Sequence, residues 1–300
     1  MIDLHIHTSY SSDGVYKPEE ILKMAKEKGI KVLSFTDHNE VAANLDACHL
    51  ARKYEIKYIP GIEFNSFWKG RDVHVLGYYL DYSSAKIKEF LENLRRKKQE
   101  QTVERVKKLK ELGFLISLED VLQETKGRPA TGVSFLKAML KRDENLKDER
   151  LFPYIKGEKS RSPYMNFYND YLTPGKPAFV ELKDAPTEEV IKLIIACDGI
   201  PVVAHPKDLS EKELVELKEM GAKGIEVYSS YHTTERKLYY RDLAMRLEMI
   251  VTAGSDFHGE EIKKDVKLGS VGAVDENIIE DMEKQYRNIL TPKKMDTMGV

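Results

Sequence analysis

Ile2-Asp3-Leu4-His5-Ile6-His7, at the start of the chain, and Ile250-Val251-Thr252-Ala253-Gly254-Ser255-Asp256-Phe257-His258, near its end, read as β-strands of one sheet. Each is a short apolar run that ends in two polar side chains spaced two apart, His5 with His7 and Asp256 with His258. Side chains alternate along a strand, so both members of a pair face the same way. Five further runs, at residues 31–36, 58–64, 73–80, 201–205 and 224–228, bring the total to seven. Most are bounded by Gly, Pro or Asn, as buried parallel strands are expected to be. Helical patterns lie between them. Pro18 sits at a first helical position, Glu19 and Glu20 follow, and Gly29 closes that helix. Asn39 is expected to cap the Ala-rich segment that runs to about residue 54. Residues 188–196, 211–220 and 234–247 supply further apolar helical faces. Repeated βα units imply a parallel sheet, open or closed, and seven strands without a GxGxxG turn favour the barrel. In a barrel the first and last strands are neighbours, so two pairs about 250 residues apart in sequence meet at one mouth.

The composition supports such a core. With 41% hydrophobic and 33% charged residues among 300, the chain is neither disordered, nor collagen-like, nor a disulfide-stapled mini-domain. No apolar run approaches the roughly 20 residues of a membrane span. Met1-Ile2-Asp3-Leu4-His5 has neither a basic nor an apolar leader region, so no signal peptide is expected. The two cysteines, Cys48 and Cys197, stand in unrelated contexts, and a reducing cytoplasm is the expected compartment. Between residues 83 and 175 the βα alternation stops. Ile87, Phe90, Leu91 and Leu94, then Val103, Val106, Leu109 and Leu112, lie three or four apart, and Gly113 breaks the pattern. Ser117 with Asp120 resembles a helix start, and 131–141 reads as another helix, followed by an exposed charged stretch to 150. This stretch reads as a small helical domain inserted into a barrel formed by residues 1–82 and 176–300. It carries 20 basic and 14 acidic side chains, a net of +6, against −8 for the remainder and −2 for the whole chain. A basic block in an acidic chain points to a phosphate-bearing partner, although on charge alone a solvated helical surface is the favoured reading.

Chemistry concentrates at strand ends. Asp13, His38, Glu63, His74 and His205 are expected at or just beyond the C-terminal ends of the other strands, the rim where barrel enzymes place their active sites. With His5, His7, Asp256 and His258 they make nine ligand-type side chains, too many for one four-coordinate zinc. They suit two or three divalent cations sharing a carboxylate, a cluster that binds phosphate oxygens and converts water to hydroxide. A histidine taken singly is more often a hydrogen-bonded structural residue, but six of the eight histidines fall at strand ends. Of the other two, His49 lies mid-helix, and His232 follows the sixth strand and is a candidate substrate contact. Phosphate-loop, HExxH, CxxC and GxSxG patterns are absent, as is the DxD of aspartyl-phosphate enzymes. A protein nucleophile is therefore unnecessary.

Asp3-Leu4-His5-Ile6-His7-Thr8, Ser12-Asp13-Gly14, Phe35-Thr36-Asp37-His38-Asn39, Pro60-Gly61-Ile62-Glu63, His74-Val75-Leu76-Gly77-Tyr78, Val203-Ala204-His205-Pro206 and Gly254-Ser255-Asp256-Phe257-His258-Gly259 fall in the order of the motifs of the polymerase and histidinol phosphatase (PHP) superfamily. The chain resembles that family over nearly its whole length. The helical block after the His74 motif resembles the branch of nucleoside 3′,5′-bisphosphate phosphatases, some of which trim RNA from its 5′ end. Gly127-Arg128-Pro129, Tyr171-Leu172-Thr173-Pro174-Gly175-Lys176-Pro177-Ala178 and Gly224-Ile225-Glu226-Val227-Tyr228 with His232-Thr233 add to that likeness. This chain has Ala130 where the branch usually has histidine, and its loop from His7 to Asp13 is one residue longer than in many relatives.

The resemblance implies an α/β fold, a distorted seven-stranded (β/α)7 barrel with the helical insert, and a two- or three-metal site. His5, His7, Glu63 and Asp256 would hold one cation. Glu63 would bridge to a second completed by His74 and His205, and Asp13, His38 and His258 would hold a third. Imidazole with carboxylate suits manganese first, then iron or zinc. The implied reaction is hydrolysis of a nucleotide phosphate monoester by a metal-bridging hydroxide, with Glu63, His205 and Asp256 at the reacting centre. Arg128, Lys176 and His232 are the expected substrate contacts, with Arg128 gripping a second phosphate. The substrate would be a nucleoside 3′,5′-bisphosphate or a short RNA 5′ end, with no membrane and no obligatory protein partner. Histidinol-phosphate phosphatase and a non-catalytic metal-binding module are the alternatives.

Overall fold

The computed structural model describes residues 1–11, 13–125, 130–181, 185–272, 274 and 277–290. The chain begins β1 (Ile2–Ile6), α1 (Pro18–Glu27), β2 (Val32–Phe35), α2 (Ala43–Lys53), β3 (Lys57–Tyr58), β4 (Gly61–Trp68) and β5 (Arg71–Tyr78). Five helices follow: α3 (Ala85–Glu111), α4 (Leu118–Thr125), α5 (Gly132–Leu140), α6 (Phe152–Ile155) and α7 (Pro163–Tyr171). The alternation then resumes with β6 (Ala185–Pro186), α8 (Thr187–Ala196), β7 (Ile200–Val203), α9 (Glu211–Glu219) and β8 (Gly224–Ser229). It closes with α10 (Thr234–Arg246), β9 (Ile250–Gly254) and α11 (Asn277–Ile289). No described helix is long and apolar enough to cross a membrane.

β1, β2 and β3 form a parallel sheet, and the other strands are ordered β6-β4-β5-β7-β8-β9. The two sheets meet along two seams. On one, the His7 N–H donates to the Phe257 carbonyl and the Asp256 N–H to the His5 carbonyl, each at 2.8 Å. On the other, the Asn39 N–H donates to the Glu63 carbonyl at 2.8 Å, and His38 bridges Glu63 in parallel. The first strand and the run that ends the last are therefore neighbours. The result is an α/β fold in which parallel pairing dominates.

Several local expectations need correction. The run expected at 58–64 divides at Pro60 into β3 and a longer β4, and β6 has no counterpart in the apolar pattern. β5 is not a parallel βα strand. It pairs antiparallel with both β4 and β7, after a two-residue hairpin at Lys69 (φ 49°) and Gly70 (φ 84°), both left-handed as such turns require. Because β5 runs backwards, His74 lies in its first half, not at a C-terminal end, and still reaches the same mouth. Asn39 does not cap α2. Its φ is 49°, its N–H is engaged by Glu63, and the Glu40 carboxylate accepts from Val41 and Ala42 at the helix entrance instead. The two apolar patterns after residue 83 are one continuous helix of 27 residues, α3, with Gly113 at φ 87° just beyond its end.

α3 is anchored in two cores. Ile87, Leu91 and Leu94 pack with Phe64, Val75 and Ile191 beside the mixed sheet. Val106 and Leu109 pack with Phe114, Phe135, Met139 and Phe167 in a cluster drawn wholly from residues 106–178. Ser117 and Asp120 exchange hydrogen bonds at 3.0 and 3.1 Å around the start of α4, as a capping box should. The long helix thus fixes the helical stretch relative to the sheet by apolar packing at both ends.

Asn44 on α2 fixes the start of β4, the strand that carries Glu63. Its Nδ2 donates to the Gly61 carbonyl at 2.9 Å and its Oδ1 accepts the Gly61 N–H at 3.0 Å, all buried. A side chain on Gly61 is excluded, because its Cβ would lie 2.2 Å from Ser34 Oγ. Asn44→Ala leaves two buried backbone groups unpaired and should cost about 2–4 kcal/mol in urea denaturation. A loss below 0.5 kcal/mol would mean that water replaces the amide there.

Candidate metal centre

Nine side chains converge on the mouth. His5 and His7 come from β1, Asp13 from the loop after it, and His38 from the turn after β2. Glu63 lies in β4 and His74 in β5. His205 follows β7, and Asp256 and His258 follow β9. Antiparallel register sets Glu63 opposite Leu76 and Asn65 opposite His74, so Glu63 and His74 are diagonal neighbours on one face. Their side chains meet at 2.9 Å.

Glu63 is fully buried at the centre. Its Oε1 faces His74 Nδ1 at 2.9 Å and His205 Nε2 at 3.1 Å. Its Oε2 faces His5 Nε2 and His7 Nε2 at 3.2 Å and His38 Nδ1 at 3.1 Å. Asp256 Oδ1 stands 3.3 Å from His5 Nε2 and 3.1 Å from His7 Nε2. Asp13 Oδ2 lies 3.7 Å from Nε2 of both His38 and His258. Among the described residues, three sets of donor atoms lie close enough to share an ion: His5, His7, Glu63 and Asp256; His7, Asp13, His38 and His258; and His38, Glu63 and His74. The first matches the set implied by resemblance. In the second His7 joins the expected three, and in the third His38 stands where His205 was expected.

The donors fit divalent cations. Glu63 Oε2 is buried without a properly directed hydrogen bond although three imidazole nitrogens surround it. His5 and His7 point Nε2 atoms at each other across 3.2 Å, a contact that needs a shared proton or a cation. The electrostatics agree. Burial opposes charge on His7, yet Asp256 and Glu63 outweigh it and raise its pKa to about 9. Burial would raise the Glu63 carboxyl, but His5, His38 and His74 hold it well below the usual range. At His38 burial wins and lowers the imidazole to about 4. Protons on imidazole here compensate carboxylate charge that cations would neutralise.

Other carboxylates hold the clustered side chains from behind. Asp37 accepts from Thr8 N and Oγ1 at 2.7 Å and from Ser11 N at 3.2 Å, which shapes the loop carrying Asp13. Asp3 accepts from Ser255 N and Gly269 N at 2.8 Å beneath Asp256. Burial raises both carboxyls to about 6. Tyr231 and Lys263 both bond Asp256 Oδ2, and Lys207 Nζ lies 3.7 Å from the Tyr231 ring centre.

A cavity of about 260 Å³ opens outward from the ligands. Its far wall comes from the helices: Lys98, Gln101 and Arg105 of α3, Thr131 to Val133 at the start of α5, and Tyr164, Met165 and Tyr168 of α7. None of these was singled out from sequence, although positions 98, 101 and 105 fall on one helical face. The expected substrate contacts fare differently. Arg128 lies outside the described residues. Lys176 is exposed in a turn after α7 and does not line the cavity. His232 does not line it either. Its Nδ1–H donates to the Val227 carbonyl at 2.8 Å and its ring packs on Tyr240, so it braces the loop between β8 and α10. His49 is an exposed residue of α2.

Residues 3–292 match the PHP domain model. The chain belongs to the PHP family. Among similar proteins, a 5′-3′ exoribonuclease of Haemophilus influenzae is 26% identical over 85% of this chain and 89% of its own length. A 3′,5′-nucleoside bisphosphate phosphatase of Chromobacterium violaceum is 26% identical over 86% and 87%. A phosphoribosyl 1,2-cyclic phosphate 1,2-diphosphodiesterase of Eggerthella lenta is 25% identical over 86% and 94%. A solved structure from Bifidobacterium adolescentis, described as a metal-dependent phosphoesterase, shares the fold with a TM-score of 0.77 at 22% identity over 95% of this chain and 96% of its own. This PHP chain is accordingly a metal-dependent hydrolase.

Glu63→Gln should remove at least one bound cation per chain, because a neutral amide offers one oxygen where imidazoles face two. His232→Ala should leave the metal content unchanged and cost only the Val227 hydrogen bond and its packing, about 1–3 kcal/mol of stability. Elemental analysis after manganese loading separates the two variants. Equal metal losses would contradict the assignment.

Proposed function

We propose that the chain is a distorted seven-stranded barrel whose mouth is roofed by α3, α5 and α7 of the stretch 83–175, and that it hydrolyses a phosphate monoester of a nucleotide carrying two phosphates. Nucleoside 3′,5′-bisphosphate is the leading substrate; a short RNA 5′ end is its extended form, in which a diester takes the place of the 3′-monoester and a nucleotide is released instead of inorganic phosphate. The observation that carries this reading is the two-sided cavity. Its floor is a carboxylate–imidazole cluster suited to one phosphate, and its opposite wall offers the cationic and aromatic side chains Lys98, Arg105, Tyr164 and Tyr168. Lys98 and Arg105 suit a second phosphate, the ammonium as a point charge and the guanidinium by binding two phosphate oxygens at once. Tyr164 and Tyr168 suit a planar base. The C. violaceum and H. influenzae relatives, named for a bisphosphate and for RNA, favour the same class.

In the reaction water adds to phosphorus, the sugar oxygen departs with a proton, and inorganic phosphate is released. Two or three divalent cations, manganese first with iron or zinc as alternatives, would neutralise the phosphate and acidify the attacking water. His5, His7, Asp13, His38, Glu63, His74, His205, Asp256 and His258 would hold them. Tyr231 and Lys263 steady Asp256 through its outer oxygen. Lys207, on the cavity rim beside them, is placed to meet a phosphate oxygen that faces away from the cluster. Burial and the neighbouring Lys263 lower its pKa, which favours a site where an anion restores balance.

A screen of phosphate release tests this reading, using nucleoside 5′-, 3′- and 3′,5′-phosphates and histidinol phosphate with manganese present. Bisphosphate should give the highest kcat/KM; preference for histidinol phosphate would overturn the assignment. Arg105→Ala should lower kcat/KM for the bisphosphate by about 2–4 kcal/mol and leave p-nitrophenyl phosphate nearly unchanged. Equal losses on both substrates would remove Arg105 from the second-phosphate role.

A further inference from the structure

Glu226 lies in β8, fully buried, and lines no part of the cavity. Its two oxygens serve two of the cluster histidines, which are 200 residues apart in sequence. Oε1 is 2.9 Å from His5 Nδ1, and Oε2 accepts the backbone N–H of His205 at 2.9 Å. The two imidazoles stand side by side, with ring centres 5.5 Å apart and planes inclined by 18°.

We infer that Glu226 is the positioning residue that aims His5 and His205 at the metal centre, an inference that rests on reading that centre as metal-binding. A carboxylate only accepts hydrogen bonds, so the His5 proton is placed on Nδ1. The lone pair of Nε2 then faces inward, toward Glu63 Oε2 and Asp256 Oδ1, where a cation needs a donor. At His205 the constraint acts on the backbone. Its φ of 24° lies in the left-handed region that L residues avoid, and such a conformation persists when its surroundings hold it. Oε2 supplies that hold through the N–H, which leaves the His205 ring free to point Nε2 at Glu63 Oε1.

Gly254 of β9 gives independent support. A Cβ there would lie 2.6 Å from Glu226 Oε1 and 2.1 Å from the His5 Cβ. Glycine is therefore required where the carboxylate crosses from β8 to β1. Three strands are shaped around this one contact.

Glu226→Gln is the sharpest variant, because it keeps the shape and removes one acceptor. An amide cannot accept from both His5 Nδ1–H and His205 N–H. Either the His5 proton moves to Nε2 and blocks the inward donor, or the His205 amide loses its partner. Competition of manganese against a chelator should show about 10–100-fold weaker binding of at least one cation. Far-UV circular dichroism checks that the variant is folded. A folded Glu226→Gln protein with wild-type stoichiometry and affinity overturns the inference. If wild-type protein binds no divalent cation, the metal-centre reading itself fails, a distinguishable result. If the variant does not fold, imidazole 15N spectra of the zinc-loaded wild type decide: His5 should carry its proton on Nδ1, and a proton on Nε2 would overturn the proposal.

Discussion

The structure turns on the division of one buried carboxylate. Glu63 presents one oxygen to His74 and His205 and the other to His5, His7 and His38. A carboxylate alone in a protein interior is strongly disfavoured. Two of the five imidazoles around it bond Oε1, but Oε2 has no directed hydrogen bond, and His5 and His7 face each other through Nε2 atoms 3.2 Å apart, which cannot both carry protons. Cations would resolve both problems at once, and the remaining features bring donor atoms from seven chain segments to one point. Pairing the first strand with the end of the last brings His5 and His7 to Asp256 and His258. Reversing β5 delivers His74 from the middle of a strand. The left-handed backbones at His205 (φ 24°) and Asp256 (φ 59°) turn donors inward just past strand ends.

A second layer of charge stabilises that layout. Asp3, Asp37 and Glu226 are buried behind the ligands, and each accepts hydrogen bonds from segments distant in sequence. Their acceptor capacity is met by N–H or O–H groups of the ligand-bearing loops, so the loops are ordered by the same bonds that make burial of these carboxylates tolerable. α3 extends the arrangement outward. It is seated in the sheet's core at one end and in the helical cluster at the other, and it carries Lys98, Gln101 and Arg105 across the cavity.

The residues that cluster at the mouth were legible because their chemistry is incongruous: histidine and carboxylate ending apolar runs stand out against a core. The closure of the first strand onto the last was legible for the same reason. The direction of β5 was not, because a parallel and an antiparallel buried strand share one apolar pattern, and the turn at Lys69-Gly70 is short and unremarkable in composition. Nor was the continuity of α3, whose polar middle from residue 95 to 100 looks like a break until both ends are seen to be packed. His232 misled because position after a strand says nothing about whether a ring faces the cavity or the backbone beneath it. Glu226 and Asp37 sat inside recognised motifs, but only distances reveal what a buried carboxylate holds.

The account stands on Glu63 serving two cations at once. Electron paramagnetic resonance of the fully manganese-loaded protein measures that directly, since ions sharing a carboxylate couple magnetically. The account predicts an exchange-coupled spectrum that collapses to isolated-ion signals in Glu63→Gln. A simple six-line spectrum from one uncoupled ion at full loading of the wild type would contradict it.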